Sequence, residues 1–269
     1  MTTPTTVIGA QGFVGARVVA RLAAQGCEVF TPAKGDPALF ERPLGRVIYC
    51  AGLTADYIAR PFDTIEAHVD LVASMAREGR FERFVYLSSI RLYDSAGVDV
   101  GREAAPITLS VDNPRSLYDL SKALGENLTL TQMGGRGVVA RLANVYDAGP
   151  GDPGFLSAWL ARAAETREIE LDSSPAMARD YVHADDVADA LIRIAAAGEG
   201  IVNVASGELV SNADLAACFE ATGWGVSFRR EEKTSPPPRI DISRLRALGL
   251  APRRVTDHVA AYLRELADR

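Results

Sequence analysis

Short apolar runs alternate along this chain with longer stretches whose apolar residues recur every three or four positions. The runs cover residues 6–8, 28–30, 46–50, 84–87, 138–142 and 201–204; the longer stretches cover 15–25, 64–78, 116–132 and 184–197. Runs that are apolar on both faces fit strands covered on both sides, and the periodic stretches fit amphipathic helices. Strands alternating with helices predict an α/β protein with a doubly wound parallel sheet. Between Phe30 and Arg46 there are too few residues for a full helix–strand–helix crossover, so a third strand is expected to be missing or vestigial. After residue 148 the pattern changes. Glycine and proline cluster at Gly149-Pro150-Gly151 and Pro153-Gly154, shorter elements follow, and Pro236-Pro237-Pro238 interrupts them. Residues 1–148 are therefore expected to carry the main sheet, with 182–205 returning to it. Residues 149–181 and 206–269 are expected to form a smaller C-terminal lobe.

Composition narrows the partners. The chain has 269 residues and a net charge of -6, with no basic stripe to offset it, which disfavours nucleic acid and anionic membranes. Cys27, Cys50 and Cys218 are odd in number and far apart, a spacing that suits neither zinc nor a CxxC redox pair. Reduced thiols in the cytoplasm are the expectation. No basic segment followed by an apolar stretch opens the chain, and no apolar run approaches membrane length.

Two motifs carry chemistry. Between the first strand and its helix lies Gly9-Ala10-Gln11-Gly12-Phe13-Val14-Gly15. Glycines at such a turn permit a tight bend and let a pyrophosphate approach the backbone, where the helix N-terminus favours negative charge. The GxxGxxG spacing departs from the GxGxxG fingerprint, and by itself it also fits a tight turn with close helix packing. Further on, Tyr118-Asp119-Leu120-Ser121-Lys122 falls on a predicted helix. Residues four apart share a helical face, so the phenol and ammonium can meet in one site. A nearby cation stabilises a phenolate, and such a pair can exchange a proton with a substrate oxygen while hydride moves at carbon.

Together with Leu87-Ser88-Ser89-Ile90-Arg91-Leu92-Tyr93, these motifs resemble the extended short-chain dehydrogenase/reductase family, the NAD-dependent epimerase/dehydratase type. The resemblance continues through Cys50-Ala51-Gly52, through Glu103, Pro106, Pro114, Ser116 and Glu126, and through Arg141 to Tyr146. It extends to Arg179-Asp180-Tyr181-Val182-His183, Asp185-Asp186-Val187 and Asn203 to Gly207. It implies Ser89, Tyr118 and Lys122 as the catalytic set. It implies a cofactor site at Gly9, Gly12, Phe13, Val14, Gly15, Ala51, Gly52 and Lys122, and substrate contacts at Arg91, Asn144 and Arg179. For Arg179 an ion pair with Asp180 or Asp185 is the competing role. His183 reads as structural, no metal is implied, and His68 stands where relatives often carry an asparagine.

Departures from the family pattern sharpen the reaction. Family dehydratases place an Asp-Glu pair after the residue matching Ser89, since eliminating water needs a second acid and base. Here Ile90 and Arg91 stand there, which disfavours dehydration. The short link after Phe30 resembles reductases of 4-keto-6-deoxy sugar nucleotides. At the end of the second strand no carboxylate appears until Asp36, while Lys34 and Arg17 are near, so NADP is favoured over NAD and Lys34 is its expected 2′-phosphate contact. The expected function is a ketoreductase of a nucleotide-activated keto-deoxysugar. An NAD-dependent sugar-nucleotide epimerase, a reductase of a non-sugar metabolite and a non-catalytic NADP-binding regulator are the alternatives. A homodimer through the helices at 64–78 and 116–132 is what relatives suggest.

Overall fold

Thr5, Thr6, Val7 and Ile8 are all buried, and as β1 (Thr5–Ile8) they start the main sheet. In this computed structural model, residues 4–94, 96–113, 115–148, 154–232 and 235–268 are described. Pro114 and the cluster 149–153 singled out in the sequence lie outside them. α1 (Phe13–Ala24), β2 (Val29–Phe30), α2 (Ala38–Glu41) and β3 (Arg46–Tyr49) follow. A single turn of helix is all that joins β2 to β3, so the crossover holds no further strand, as its length predicts.

α3 (Pro61–Ile65) runs through a wider π-type turn, Glu66–Asp70, into α4 (Leu71–Glu78). β4 (Arg83–Ser89) ends in a 3-10 turn, Ile90–Tyr93, and β5 (Val100–Gly101), α5 (Ser116–Gln132) and β6 (Gly137–Leu142) come next. Then follow β7 (Asn144–Tyr146), α6 (Phe155–Ala163), β8 (Glu168–Leu171), β9 (Ala178–His183), α7 (Ala184–Ala197) and β10 (Ile201–Val204). The chain closes with β11 (Leu209–Ser211), α8 (Asn212–Glu220), β12 (Gly225–Phe228), β13 (Arg239–Ile240), α9 (Ser243–Ala247) and α10 (Val255–Ala267).

Six parallel strands form the main sheet in the order β10-β6-β4-β3-β1-β2. One face is covered by α1 and α7, whose Val18, Leu22, Val187, Leu191 and Ile194 pack on Val7, Ile48, Val85 and Val138. The other face carries Val72 and Met75 of α4 against Tyr49, Phe84 and Tyr86. A separate apolar cluster fills the C-terminal lobe around Trp159, Leu160, Phe219, Val259 and Leu263. Each such buried side chain contributes about 1.5–3 kcal/mol relative to exposure.

Part of the span 206–269, expected for a lobe, packs against the main sheet. Ile240, Ile242 and Leu245 pack into the main core beside Val204 and Ala205, so the chain crosses back before α10. Polar ties reinforce that return. Asn203 donates from its amide to the carbonyls of Gly101 and Asp241, and accepts from the Tyr93 hydroxyl at 2.8 Å. Tyr93 in turn accepts from Arg141, which makes a buried bidentate pair with Glu126 of α5 at 2.8 and 2.7 Å.

Candidate active site

The glycine turn after β1 has backbone reasons for its composition. Gly9 adopts φ +81, and a Cβ there would meet the backbone nitrogen of Ala51 at 2.6 Å. A Cβ on Gly15 would lie 2.2 Å from the Gly9 carbonyl oxygen. Neither position tolerates a side chain, which brings α1, the turn and the end of β3 together. Gly12 caps α1 without a side chain of its own, Phe13 and Val14 open the helix, and its first turn holds no acid. The helix N-terminus therefore faces the turn with unopposed positive character, a surface suited to a pyrophosphate.

β4 ends at Ser89 and α5 begins at Ser116, and between them they assemble the chemistry. Tyr118, Ser121 and Lys122 share the buried face of α5. Burial raises the pKa of the Tyr118 phenol, and the neighbouring hydroxyls of Ser89 and Thr54, with the Arg91 charge, draw it partly back down. Lys122 donates from Nζ to the Leu87 carbonyl at 2.8 Å, and a Cβ on Gly52 would stand 3.3 Å from that nitrogen. Burial holds Lys122 down to about 7, against the opposing pull of Glu126. Ser89 also caps the 3-10 turn by accepting from the Arg91 backbone at 3.2 Å.

Arg91 belongs to this cluster. Its guanidinium lies 5.1 Å from the Tyr118 ring centroid and 5.3 Å from that of Tyr57. Nη2 donates to the Tyr57 hydroxyl at 3.2 Å, and Nε is 3.2 Å from the Asp119 carboxylate.

His68 closes the opposite side. Its Nε2 accepts from the Leu53 backbone at 3.2 Å, which leaves Nδ1 to donate to Ser121 Oγ at 2.8 Å. Ser121 passes its own proton to the Tyr118 carbonyl at 2.9 Å. Burial lowers the His68 pKa to about 3, so the ring stays neutral and this donor order is fixed. The imidazole therefore ties the loop after β3 to α5, at the position where the family resemblance leads one to expect an asparagine.

Other expected residues lie elsewhere. Asn144 and Arg179 sit together on the three-stranded sheet β11-β9-β7, where the Asn144 amide donates to the Asp180 carbonyl at 2.9 Å. The Arg179 ion pair does not form. Asp180 instead accepts from the backbone and hydroxyl of Ser206 and the backbone of Gly207, each at 2.8 Å, and Asp185 pairs with Arg17. Arg179 stacks over Phe155 at 4.8 Å, and its Nη1 is buried without a partner among the described residues. His183, expected to be structural, caps α7 by accepting from the Asp185 backbone at 3.1 Å.

The cations near the second strand are opposed. Lys34 pairs with Glu66 at 2.8 Å, and Arg17 is engaged by Asp147 and Asp185. The expectation that a 2′-phosphate would meet cations with no opposing charge is corrected accordingly. Glu66 is more than thirty positions away in sequence, at the start of the π-type turn. Thr54 and Tyr57 went unmarked in the sequence, because the loop after Gly52 has no periodicity to place its side chains.

The model of the NAD dependent epimerase/dehydratase family matches residues 5–205. This chain belongs to that family. A dTDP-4-dehydro-6-deoxy-D-allose reductase from a Streptomyces species is 26% identical, covering 89% of this chain and 88% of its own length. A dTDP-6-deoxy-L-talose 4-dehydrogenase (NAD(P)(+)) from Kitasatospora kifunensis is 32% identical over 75% of this chain and 73% of its own. Among solved structures, MoeE5 in complex with UDP-glucose and NAD superposes with a TM-score of 0.78 at 20% identity, covering 99% of each chain. That last likeness concerns the fold. The family membership accounts for the parallel sheet, the glycine turn and the Tyr118–Lys122 helix at once.

Proposed function

We propose that this chain is an NAD(P)-dependent reductase of a nucleotide-activated keto-deoxysugar. The observation that carries the reading is the convergence of Ser89, Tyr118 and Lys122, with Ile90 and Arg91 after Ser89 where dehydration would need an acid and a base. The names of the two curated relatives support the same substrate class. Gly9, Gly12, Phe13, Val14 and Gly15 would hold the pyrophosphate, and Ala51, Gly52 and Lys122 the nicotinamide ribose. Tight glycine packing fits that demand, because any Cβ at Gly9 or Gly15 would collide with backbone. When bound, NAD(P)H supplies the hydride.

Ser89 orients the substrate carbonyl by donating to its oxygen. Tyr118 gives its phenolic proton to that oxygen as carbon accepts hydride, and Lys122 steadies the resulting charge. Arg179, with one buried nitrogen unpartnered among the described residues, and Asn144 hold the nucleotide side of the substrate. NADP is the proposed cofactor, with Lys34 exchanging Glu66 for the 2′-phosphate. We place the protein in the cytoplasm, since Cys27, Cys50 and Cys218 are all free thiols. Among the described residues, no helix is long and apolar enough to cross a membrane. We also propose a homodimer, because Phe62 is 87% exposed at the start of the helical run 61–78 and Leu124 is exposed on α5.

The test is to release and identify any nucleotide in the purified protein, then titrate the emptied chain and its Lys34→Ala variant with NADPH and NADH. Exchangeable binding that favours NADPH, with the preference lost in Lys34→Ala, is expected. Tightly retained NAD would instead indicate an epimerase, and equal losses for both nucleotides would refute the role of Lys34.

A further inference from the structure

Tyr118 is enclosed by groups from several elements, and their charges are unequal. From the loop after β3 comes Tyr57, its ring 5.4 Å away, and from the π-type turn comes His68 at 5.5 Å, neutral as argued above. Lys122, on the same helix, holds its ammonium 5.9 Å from the ring, turned onto the Leu87 carbonyl. Arg91 is nearer, at 5.1 Å, and its charge does not titrate in the working range. Asp119 opposes it from one side. Asp94, which follows the 3-10 turn, is a second carboxylate that feels the Arg91 charge.

The guanidinium is also held still. Nη2 is shared between the Tyr57 hydroxyl at 3.2 Å and the Arg115 carbonyl at 3.4 Å, while Nε faces Asp119. A planar cation fixed over an aromatic face is attracted weakly to a neutral phenol and strongly to a phenolate, whose charge spreads into the ring. Its effect on the two protonation states is therefore unequal, which is the condition for shifting an acid.

We propose that Arg91 is a positioning residue for proton transfer, clamped by Tyr57, Asp119 and the Arg115 carbonyl over the Tyr118 ring so that it stabilises the phenolate. The role sits at the place where family dehydratases carry an acid. It rests on the reductase reading above, in which bound NAD(P)H would supply hydride to the carbonyl carbon, the electron pair of the C=O π bond would pass to oxygen as an alkoxide, and the O–H bond of Tyr118 would break to protonate it. The phenolate left behind takes a proton from solvent. A point charge 5 Å away at an effective dielectric near 20 is worth about two pH units on an acid. The opposing carboxylate of Asp119 reduces this to about one. Burial still dominates, so the phenol remains a weaker acid than free tyrosine, and Arg91 recovers part of that loss.

Two measurements test this with Arg91→Met, Arg91→Lys and, should the first variant fold poorly, Arg91→Gln. In the first, ketone reduction is followed against pH with a dTDP-4-keto-6-deoxyhexose. In Arg91→Met the alkaline limb of kcat should move up by about one pH unit and the plateau should fall about three- to tenfold. Arg91→Lys should restore most of both. A raised KM with an unchanged kcat profile would make Arg91 a substrate contact only and overturn the proposal. The second measurement needs no substrate. The chain is labelled with 13Cζ-tyrosine, the Tyr118 resonance is assigned with Tyr118→Phe, and its ionisation is followed with pH. The midpoint should lie about one unit higher in Arg91→Met than in the parent. Coincident midpoints, or a parent phenol that does not ionise before the fold opens, would overturn it. Should the parent reduce no keto-sugar nucleotide while the midpoints differ as expected, the substrate reading fails and the role of Arg91 stands.

Discussion

At the scale of single residues, Lys122 shows how burial and chemistry meet. Sequence spacing alone marks it as a partner for Tyr118, since residues four apart share a helical face. Its depressed pKa has another origin, the desolvation of an ammonium beneath β4, which no spacing rule reveals. The sign of the consequence is definite. The folded chain releases this proton near 7, whereas the unfolded chain keeps it to about 10.5, so between those values the unfolded state binds more protons and stability rises with pH. Denaturant titrations at pH 7 and 9 should show the parent gaining on the order of 2 kcal/mol more than Lys122→Met between the two. Equal gains would mean that the ammonium is solvated. The glycines were legible for a similar reason: Gly9 and Gly15 are explained by backbone contacts that their spacing already implies. Lys34 was misjudged in its surroundings, because Glu66 reaches it from a distant segment.

At the scale of elements, the main-sheet strands follow from their apolar runs and the helix Ala184–Ala197 from the apolar face it buries, whereas the buried face of Ser116–Gln132 is largely polar, with Tyr118, Ser121, Lys122, Gly125, Glu126 and Thr129. The helical run 61–78 is different. A π-type turn interrupts it at Glu66–Asp70, and hydrophobic spacing cannot announce one extra residue per turn. That turn is what points His68 at Leu53 and Ser121. α5 is anchored from below by Glu126 and Arg141, a buried pair with side chains only 5% and 4% exposed. Removing one partner leaves the other charge buried and alone. Glu126→Gln should therefore lower stability by about 3 kcal/mol in chemical denaturation, with turnover falling as the Tyr118 helix loosens. Unchanged stability would show that water or another group satisfies Arg141.

At the scale of the whole molecule, the break of pattern after residue 148 is the sequence's reason to expect a main sheet and a smaller lobe. The return of Ile240, Ile242 and Leu245 to the main core was not legible there, since three apolar residues in a short segment carry no address. The proposed homodimer would cover the exposed Phe62 and Leu124. Sedimentation should give about twice the 28.8 kDa of one chain, and Phe62→Glu with Leu124→Glu should return it to the monomer. A monomeric parent would contradict the dimer. The central claim concerns chemistry, and one experiment addresses it most directly. Purified protein is incubated with NADPH deuterated on the transferable hydrogen and a dTDP-4-keto-6-deoxyhexose, and the sugar is examined by mass spectrometry and NMR. One deuterium at the former carbonyl carbon for each NADPH consumed, absent with Tyr118→Phe, is the predicted result; unlabelled sugar with the cofactor unconsumed would contradict it.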